Sequence, residues 1–235
     1  SDRSAALRVK TAQKSLWDLV NMRSLFLGLA LLISATTLSA QNWRDELKWV
    51  DNDLQAQHYQ HARKWSIKVI NSMCDHLGTG PDAMYSLATA VAYRAMAEAG
   101  LGKEDDADWY SHVAFALYPK LADQDWSKYG EVGQWLTAKK HADDITVDDS
   151  APVRLPTKRE DPECPLSAVA GAYYQPVTVG AIVDEDGVPR CPRLVSQTSA
   201  PTLAYAAFES LKDFEFPAGP PVKYQVTVNF RPPKS

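Results

Sequence analysis

Cysteine is scarce in this chain of 235 residues: Cys74, Cys164 and Cys191 are all it has. An odd number leaves at least one thiol without a partner inside the chain. Clustered basic residues are missing as well. By segment the formal charge is +3 over residues 1–41 (five basic, two acidic), −7 over 42–149 (eleven, eighteen) and zero over 150–235 (nine, nine), which sums to the −4 of the whole chain. No segment offers the basic face that neutralising phosphates requires, so nucleic acid is not expected as a partner. Proline is nearly absent from the first 150 residues, which hold two of the fifteen. Glycine nowhere forms a phosphate-cradling loop, and no nucleophile elbow occurs.

What is present suffices for a buried core. With 45% hydrophobic and 23% charged residues, the chain is not collagen-like, coiled-coil or wholly disordered, and its length fits one or two domains. The thirteen prolines beyond residue 150 mark a change from a Trp/Ala/Leu-rich, acidic stretch to a Pro/Val-rich, neutral one. Composition thus predicts a helical domain over 42–141, a linker over 142–161 and a second domain over 162–235.

Residues 22–40 place one positive charge, Arg23, before an apolar run at 25–33 and a small, polar stretch ending in Leu38, Ser39 and Ala40. This is the layout of a secretory signal peptide, with cleavage expected between Ala40 and Gln41. The apolar run is shorter than the roughly 20 residues of helix that span a hydrocarbon core. Retention as an inner-membrane anchor is the alternative. Residues 1–21 precede a start-like Met22 and are set aside from the fold. Export permits disulfides, and Cys164 and Cys191 share the C-terminal region. A bridge between them is expected, with two reduced thiols as the alternative. Cys74 lies in the apolar phase of a helix, where a thiol behaves as a small hydrophobe.

Over 43–73 the apolar residues Leu47, Val50, Leu54, Ala62, Trp65, Val69 and Ile70 recur mostly at steps of three and four, which reads as a helix pair. Residues 78–82, Gly-Thr-Gly-Pro-Asp, break it and open another helix running to Ala99. Gly102, Ala107, Ala114 and Pro119 follow at offsets of 5, 12 and 17. These offsets resemble the second half of a tetratricopeptide repeat: a small turn residue, two alanines that let helices approach, and a terminating proline. Ala62 and Ala107, 45 residues apart, exceed the family period of 34, so the first unit carries an insertion or is no true repeat. Residues 126–135 form a further amphipathic piece.

The period changes to two at Val177, Val179, Ala181 and Val183, and residues 184–187, Asp-Glu-Asp-Gly, turn the chain into a second strand over 188–195. Pro189 and Pro192 mark that strand as an edge or bulged one, because each lacks a ladder donor. Pro201 opens a helix whose Leu203, Ala207, Ser210, Leu211 and Phe214 share a face, and residues 216–221 stop it. Residues 223–230 alternate polar and apolar, as a strand does.

This ββαβ succession is similar to the C-terminal domain of the TonB energy-transducer family. The residues that carry the resemblance are Pro162, Cys164, Pro165, Ala168 and Gly171, the Asp184 to Gly187 turn, Val195 and Ser196. The most specific are Ala206 to Leu211, Phe214 to Ala218, Gly219 to Val222, and Val226 to Phe230. The match covers about 70 residues. Cys164 stands where the family has a tyrosine, and the long Pro-rich spacer of the family is missing. A linker over 142–165, at roughly 3.3 Å per residue, reaches at most about 80 Å.

The resemblance implies that the final strand receives an extended segment of an outer-membrane transporter by backbone pairing. The implied partner-binding residues are Tyr224, Gln225, Val226, Thr227 and Asn229. Alternation puts Tyr224, Val226 and Phe230 toward the helix and Gln225, Thr227 and Asn229 on the other face. The expected fold is therefore α+β: an all-α, helical-repeat-like domain and a small ββαβ domain. The expected function is a non-enzymatic interaction protein of the bacterial envelope, periplasmic or anchored in the inner membrane. Its alternative is a soluble periplasmic scaffold whose ββαβ domain serves homodimerisation or cell-wall contact.

No cofactor or metal is expected. His58 and His61 lack a third ligand at suitable spacing. The Asp184 to Gly187 turn lacks the later ligands of a calcium loop. Cys74, Asp75 and His76 are neighbours in sequence without a group to orient them as a catalytic set.

Overall fold

The computed structural model of the chain describes residues 43–139, 147, 152–160, 162–170 and 175–230. The expected signal segment, with Ala40 and Gln41, lies outside them. The described residues form seven helices and one three-stranded antiparallel sheet, an α+β arrangement in which helix predominates.

Helix α1 covers residues 43–55 and is joined to α2 (Tyr59–His76) by a tight turn in which Gln57 takes a φ of 60°. In α2 the residues Ala62, Ser66, Val69, Ile70 and Met73 are buried, the three- and four-residue spacing of one helical face. Helix α3 (Pro81–Gly100) starts on Pro81, whose missing N–H costs nothing at a helix start. It buries residues on nearly every side, so it is the central helix, with α2, α4, α5 and α7 around it. A Cβ on Gly100 would lie 2.4 Å from the ring of Tyr59, so only glycine permits this α2–α3 approach. Gly102, at φ 70°, turns the chain into α4 (Glu104–Leu117), whose first turn carries Glu104, Asp105 and Asp106 at the positive end of its dipole. Ala107 and Ala114 of that helix are fully buried, and Pro119 opens a 3-10 turn after it. Helix α5 (Glu131–Lys139) closes the helical part. Asp51 of α1 accepts hydrogen bonds from Tyr93, Tyr129 and Lys128, which ties α1 to α3 and to the segment before α5.

A short α6 (Leu166–Ala170) precedes β1 (Val177–Val183), β2 (Pro189–Leu194), α7 (Pro201–Lys212) and β3 (Val222–Val228). Strand order is β2-β1-β3, so β1 is central and the other two are edges. Between β1 and β2 the register slips: Gly180 faces Arg193 but Ile182 faces Arg190, which leaves Cys191 and Pro192 opposite Ala181 alone. That is a β-bulge on the proline-bearing strand. Helix α7 packs on β1 and β2, and its buried face includes Leu203, Ala204, Ala207, Phe208 and Leu211.

The boundary expected at 142–161 does not divide two cores. Buried residues of the helical part and of the sheet belong to one hydrophobic core, and Trp43–Ser235 is one compact unit. Residues 152–160 are fastened along the sheet side. Arg154 donates to the carbonyls of Val183, Asp184 and Pro217, Thr157 N–H donates to the Glu215 carbonyl, and Ser210 donates to that of Glu160.

Side chains join α3 and α4 to α7 and β2. Arg94 donates to the Tyr205 hydroxyl at 3.1 Å, lies 3.7 Å from the ring centre of Tyr110, and has Glu98 and Glu209 each at 3.8 Å. Glu98 is fully buried, with Arg63 Nε 2.7 Å away. Lys212 reaches Asp106, and Arg190 reaches Asp105 at 2.6 Å.

Candidate functional site

Strand β3 presents two faces. Val222, Tyr224, Val226, Val228 and Phe230 are buried, whereas Lys223, Gln225, Thr227 and Asn229 are exposed. Tyr224 sits edge-on to Phe216 with ring centres 4.8 Å apart and packs near Phe214 at 6.3 Å, so its role is in the core. Burial pushes the pKa of its hydroxyl up, against the pull of Arg159.

The direction of the β3 backbone follows from its central neighbour. The carbonyl of Thr178 accepts from the N–H groups of Val195 and Ser196 at 2.9 and 3.1 Å, and its own N–H donates to Ser196 Oγ at 2.8 Å. Both backbone groups of Thr178 thus face the β2 side. Its partner across β3 is Thr227, so this is a non-hydrogen-bonded pair of the antiparallel ladder. The hydroxyls of the two threonines meet at 3.0 Å, as the closer side chains of such a pair allow. Thr227 therefore points its N–H and C=O away from β1. The β1–β3 register is unbroken, so Gln225, opposite Gly180, does the same, and Tyr224, Val226 and Val228 bond to β1. Among the described residues no strand pairs with this outer edge. The edge offers outward donors and acceptors at alternate residues, beside the exposed side chains of Gln225 and Thr227 and half-buried Thr178.

The expected bridge between Cys164 and Cys191 is not formed: all three cysteines are free. The physical reason is placement. Cys164 directly precedes α6, which packs on α2 and α7, whereas Cys191 is on β2, which packs on α4. Cys74 is half-buried in α2, and burial, with the charges of Asp75 and Glu209, pushes its thiol up to about 12. His76, beside it in sequence, is exposed and lies 3.0 Å from the Ser72 carbonyl. His58 and His61 are exposed beside a shallow groove with Gln57 and Leu101. Among the described residues no three His, Cys, Asp or Glu side chains are grouped to hold a metal. Asp184 accepts from the N–H groups of Asp186 and Val188 and from Arg190, so it serves as the lock of the hairpin turn.

Two arrangements escape a reading of sequence alone. One is the cluster of buried Glu98 and Tyr205 with half-buried Arg94 and Glu209. Burial raises the Glu209 carboxyl above the usual range, against the attraction of Arg94 and Lys212. The other is a contact between His112 of α4 and Cys191 of β2. Their residues come from segments far apart in the chain, and no local spacing announces them. Among the described residues no helix is long and apolar enough to cross a membrane. Comparison with protein-family models, with curated proteins and with solved structures finds no match to this chain.

Proposed function

We propose that this protein is a non-enzymatic interaction module of the bacterial envelope, of the TonB type, which takes an extended segment of a partner onto the outer edge of β3. The observation that carries the reading is the edge itself: Gln225 and Thr227 aim N–H and C=O outward while their side chains are exposed. Exposed edges of this kind are templates for strand addition. The resemblance of residues 162–230 to TonB C-terminal domains supplies the partner class, an envelope protein with an outer-membrane transporter as the first candidate. The N-terminal segment over 22–40 supplies the location, periplasmic or anchored in the inner membrane and facing the periplasm.

The helical part recruits a second protein in this reading. Its apolar offering is Trp49, 48% exposed and edge-on to Trp65 with ring centres 5.3 Å apart. Energy transduction over a distance is not part of the proposal. Residues 152–160 are fastened to the sheet side, which takes them out of any free spacer.

A photo-crosslinking residue placed at Gln225 in the full chain, expressed in a bacterial envelope, tests the assignment. A crosslink to an envelope protein, absent when the same group replaces exposed Glu215, is the expected result. A crosslink only to a second copy would replace partner docking with homodimerisation. Equal labelling from both positions would remove the edge from the account.

A further inference from the structure

Just before β3 the chain runs between two neighbours. Glu215 donates its N–H to the Lys158 carbonyl at 3.2 Å and accepts from the Thr157 N–H at 2.7 Å, whereas the N–H of Phe216 donates to the Gly187 carbonyl at 3.3 Å. Successive residues of an extended chain turn their main-chain groups to opposite sides. The turn that holds Gly187 continues β1, so the strap of residues 152–158 lies on the other side of this stretch. That is the outer side, toward which Gln225 and Thr227 aim their N–H and C=O. A Cβ added to Gly219 would stand 3.5 Å from Cδ of Arg154. Going from Lys158 back to Arg154 thus leads from Glu215 to Gly219, and the strap points its N-terminal end at Val222, where β3 starts. Ahead of β3, the strap fills the lane that a partner's strand would take along β3.

The strap is held in shape without any partner. Arg154 donates to the carbonyls of Val183 and Asp184 at 2.8 and 2.7 Å and to that of Pro217 at 2.6 Å. Pro152 and Pro156 flank it with fixed φ. With Arg154 turned inward, its neighbours turn outward: Val153 is 71% and Leu155 74% exposed, the most exposed large apolar side chains among the described residues. Neither belongs to the hydrophobic core. Covering two such side chains is favourable, and their rigid presentation removes part of the ordering cost of binding. An ionic ligand finds little beside them, since Arg154 spends its guanidinium on carbonyls and Lys158 is paired with Glu215 at 3.4 Å.

We propose that Val153 and Leu155 form an apolar ledge that ends the β3 lane and selects the partner. The partner's extended segment pairs along the seven residues of β3, about 24 Å at 3.4 Å per residue. It then meets the strap head-on and turns away, laying a bulky aliphatic or aromatic side chain over Val153 and Leu155. The occupant is therefore a short extended peptide segment with an apolar residue at the end of its paired stretch. Main-chain pairing with β3 supplies affinity without regard to side chains, and the ledge adds the choice among sequences. This inference rests on the reading of β3 as the docking edge and names what that edge prefers.

The experiment uses the full chain and fluorescence anisotropy with two labelled peptides that share a core of alternating threonine and valine. One peptide carries a pair of leucines at each end, the other a pair of serines. The wild type is expected to bind the leucine-ended peptide about tenfold more tightly, a difference of about 1.4 kcal/mol. Val153→Ser combined with Leu155→Ser, at exposed positions outside the core, is expected to abolish that preference and keep the affinity for the serine-ended peptide within about twofold. Thr227→Pro is expected to weaken both peptides alike. Equal binding of the two peptides by the wild type would overturn the ledge and leave the β3 edge standing. So would a leucine preference that survives in the double variant, and if sedimentation shows that this variant has lost self-association, the two side chains belong to a contact between copies. A wild type that binds neither peptide, or binding that Thr227→Pro leaves unchanged, would remove the reading of β3 and the ledge with it.

Discussion

Truncating Arg94 asks whether the helices and the sheet stand or fall together. The guanidinium spans α3, α4 and α7: it donates to Tyr205, lies on the ring of Tyr110 and faces the carboxylates of Glu98 and Glu209. Its side chain is 14% exposed, and Glu98 is not exposed at all. Arg94→Ala leaves buried Glu98 with Arg63 and Lys103 as its remaining cations and takes a cation from half-exposed Glu209, so the loss stays below the figure of about 3 to 5 kcal/mol for breaking an isolated buried pair. The stacking on Tyr110 contributes up to about 2 kcal/mol when desolvated. Tyr205→Phe removes only the hydroxyl, and a hydrogen bond from a charged donor is worth about 1.5 to 3 kcal/mol. A double-mutant cycle on these two positions should return a coupling of about 1.5 kcal/mol or more. The assay is urea unfolding followed by two probes. Every tryptophan lies before residue 142, so their emission reports the helices, while protection of amides in β1 and β3 reports the sheet. Coincident transitions with a shared loss of stability are expected. A coupling below about 0.5 kcal/mol, or a sheet that unfolds separately from the helices, would refute the single core.

Two further outcomes follow from the same interior. Glu209 is raised by burial, so its folded form favours the proton: the stability it contributes is full below the ordinary glutamate range and is lost as pH rises through the folded value. Glu209→Gln should therefore gain on the wild type in melting temperature between about pH 4 and pH 7, and a relative loss over that interval would contradict the assignment. Gly133 sits where an added Cβ would stand 1.9 Å from the Trp126 carbonyl oxygen. Gly133→Ala should cost about 1 to 3 kcal/mol in chemical denaturation despite the better helix propensity of alanine, and unchanged stability would show that α5 can move away freely.

Much of the architecture is legible because its determinants are local. The alternation of residues 223–230 gives β3, its buried Tyr224 and Val226 and its exposed Gln225 and Thr227; the breaker at residues 78–82 separates α2 from α3; Pro189 and Pro192 announce a bulged edge. What escaped is long-range. That one core serves both halves depends on Arg94 meeting Tyr205 and Glu209, and neither local period nor composition encodes such a meeting. The placement of Cys191 against α4 is not legible either, because a shared exported context says nothing of which helix a strand packs against. The outward direction of the β3 backbone is likewise invisible in alternation, since side-chain period fixes the faces of a strand. Only the register against Thr178 tells which residues bond inward.

That register gives the most direct test of the central claim, in a comparison of Thr227→Pro with Val226→Pro. Thr227 has an outward N–H and needs none of it for the sheet, so its proline variant should keep its melting temperature within a few degrees while partner capture weakens by about tenfold, the loss of one intermolecular hydrogen bond. Val226 donates inward to β1, so its proline variant should lose about 3 kcal/mol or more and unfold the sheet. Partner recovery measured beside thermal stability for both variants decides the matter. A folded Thr227→Pro protein that captures its partner as well as the wild type would show that the outer edge of β3 is not the binding surface.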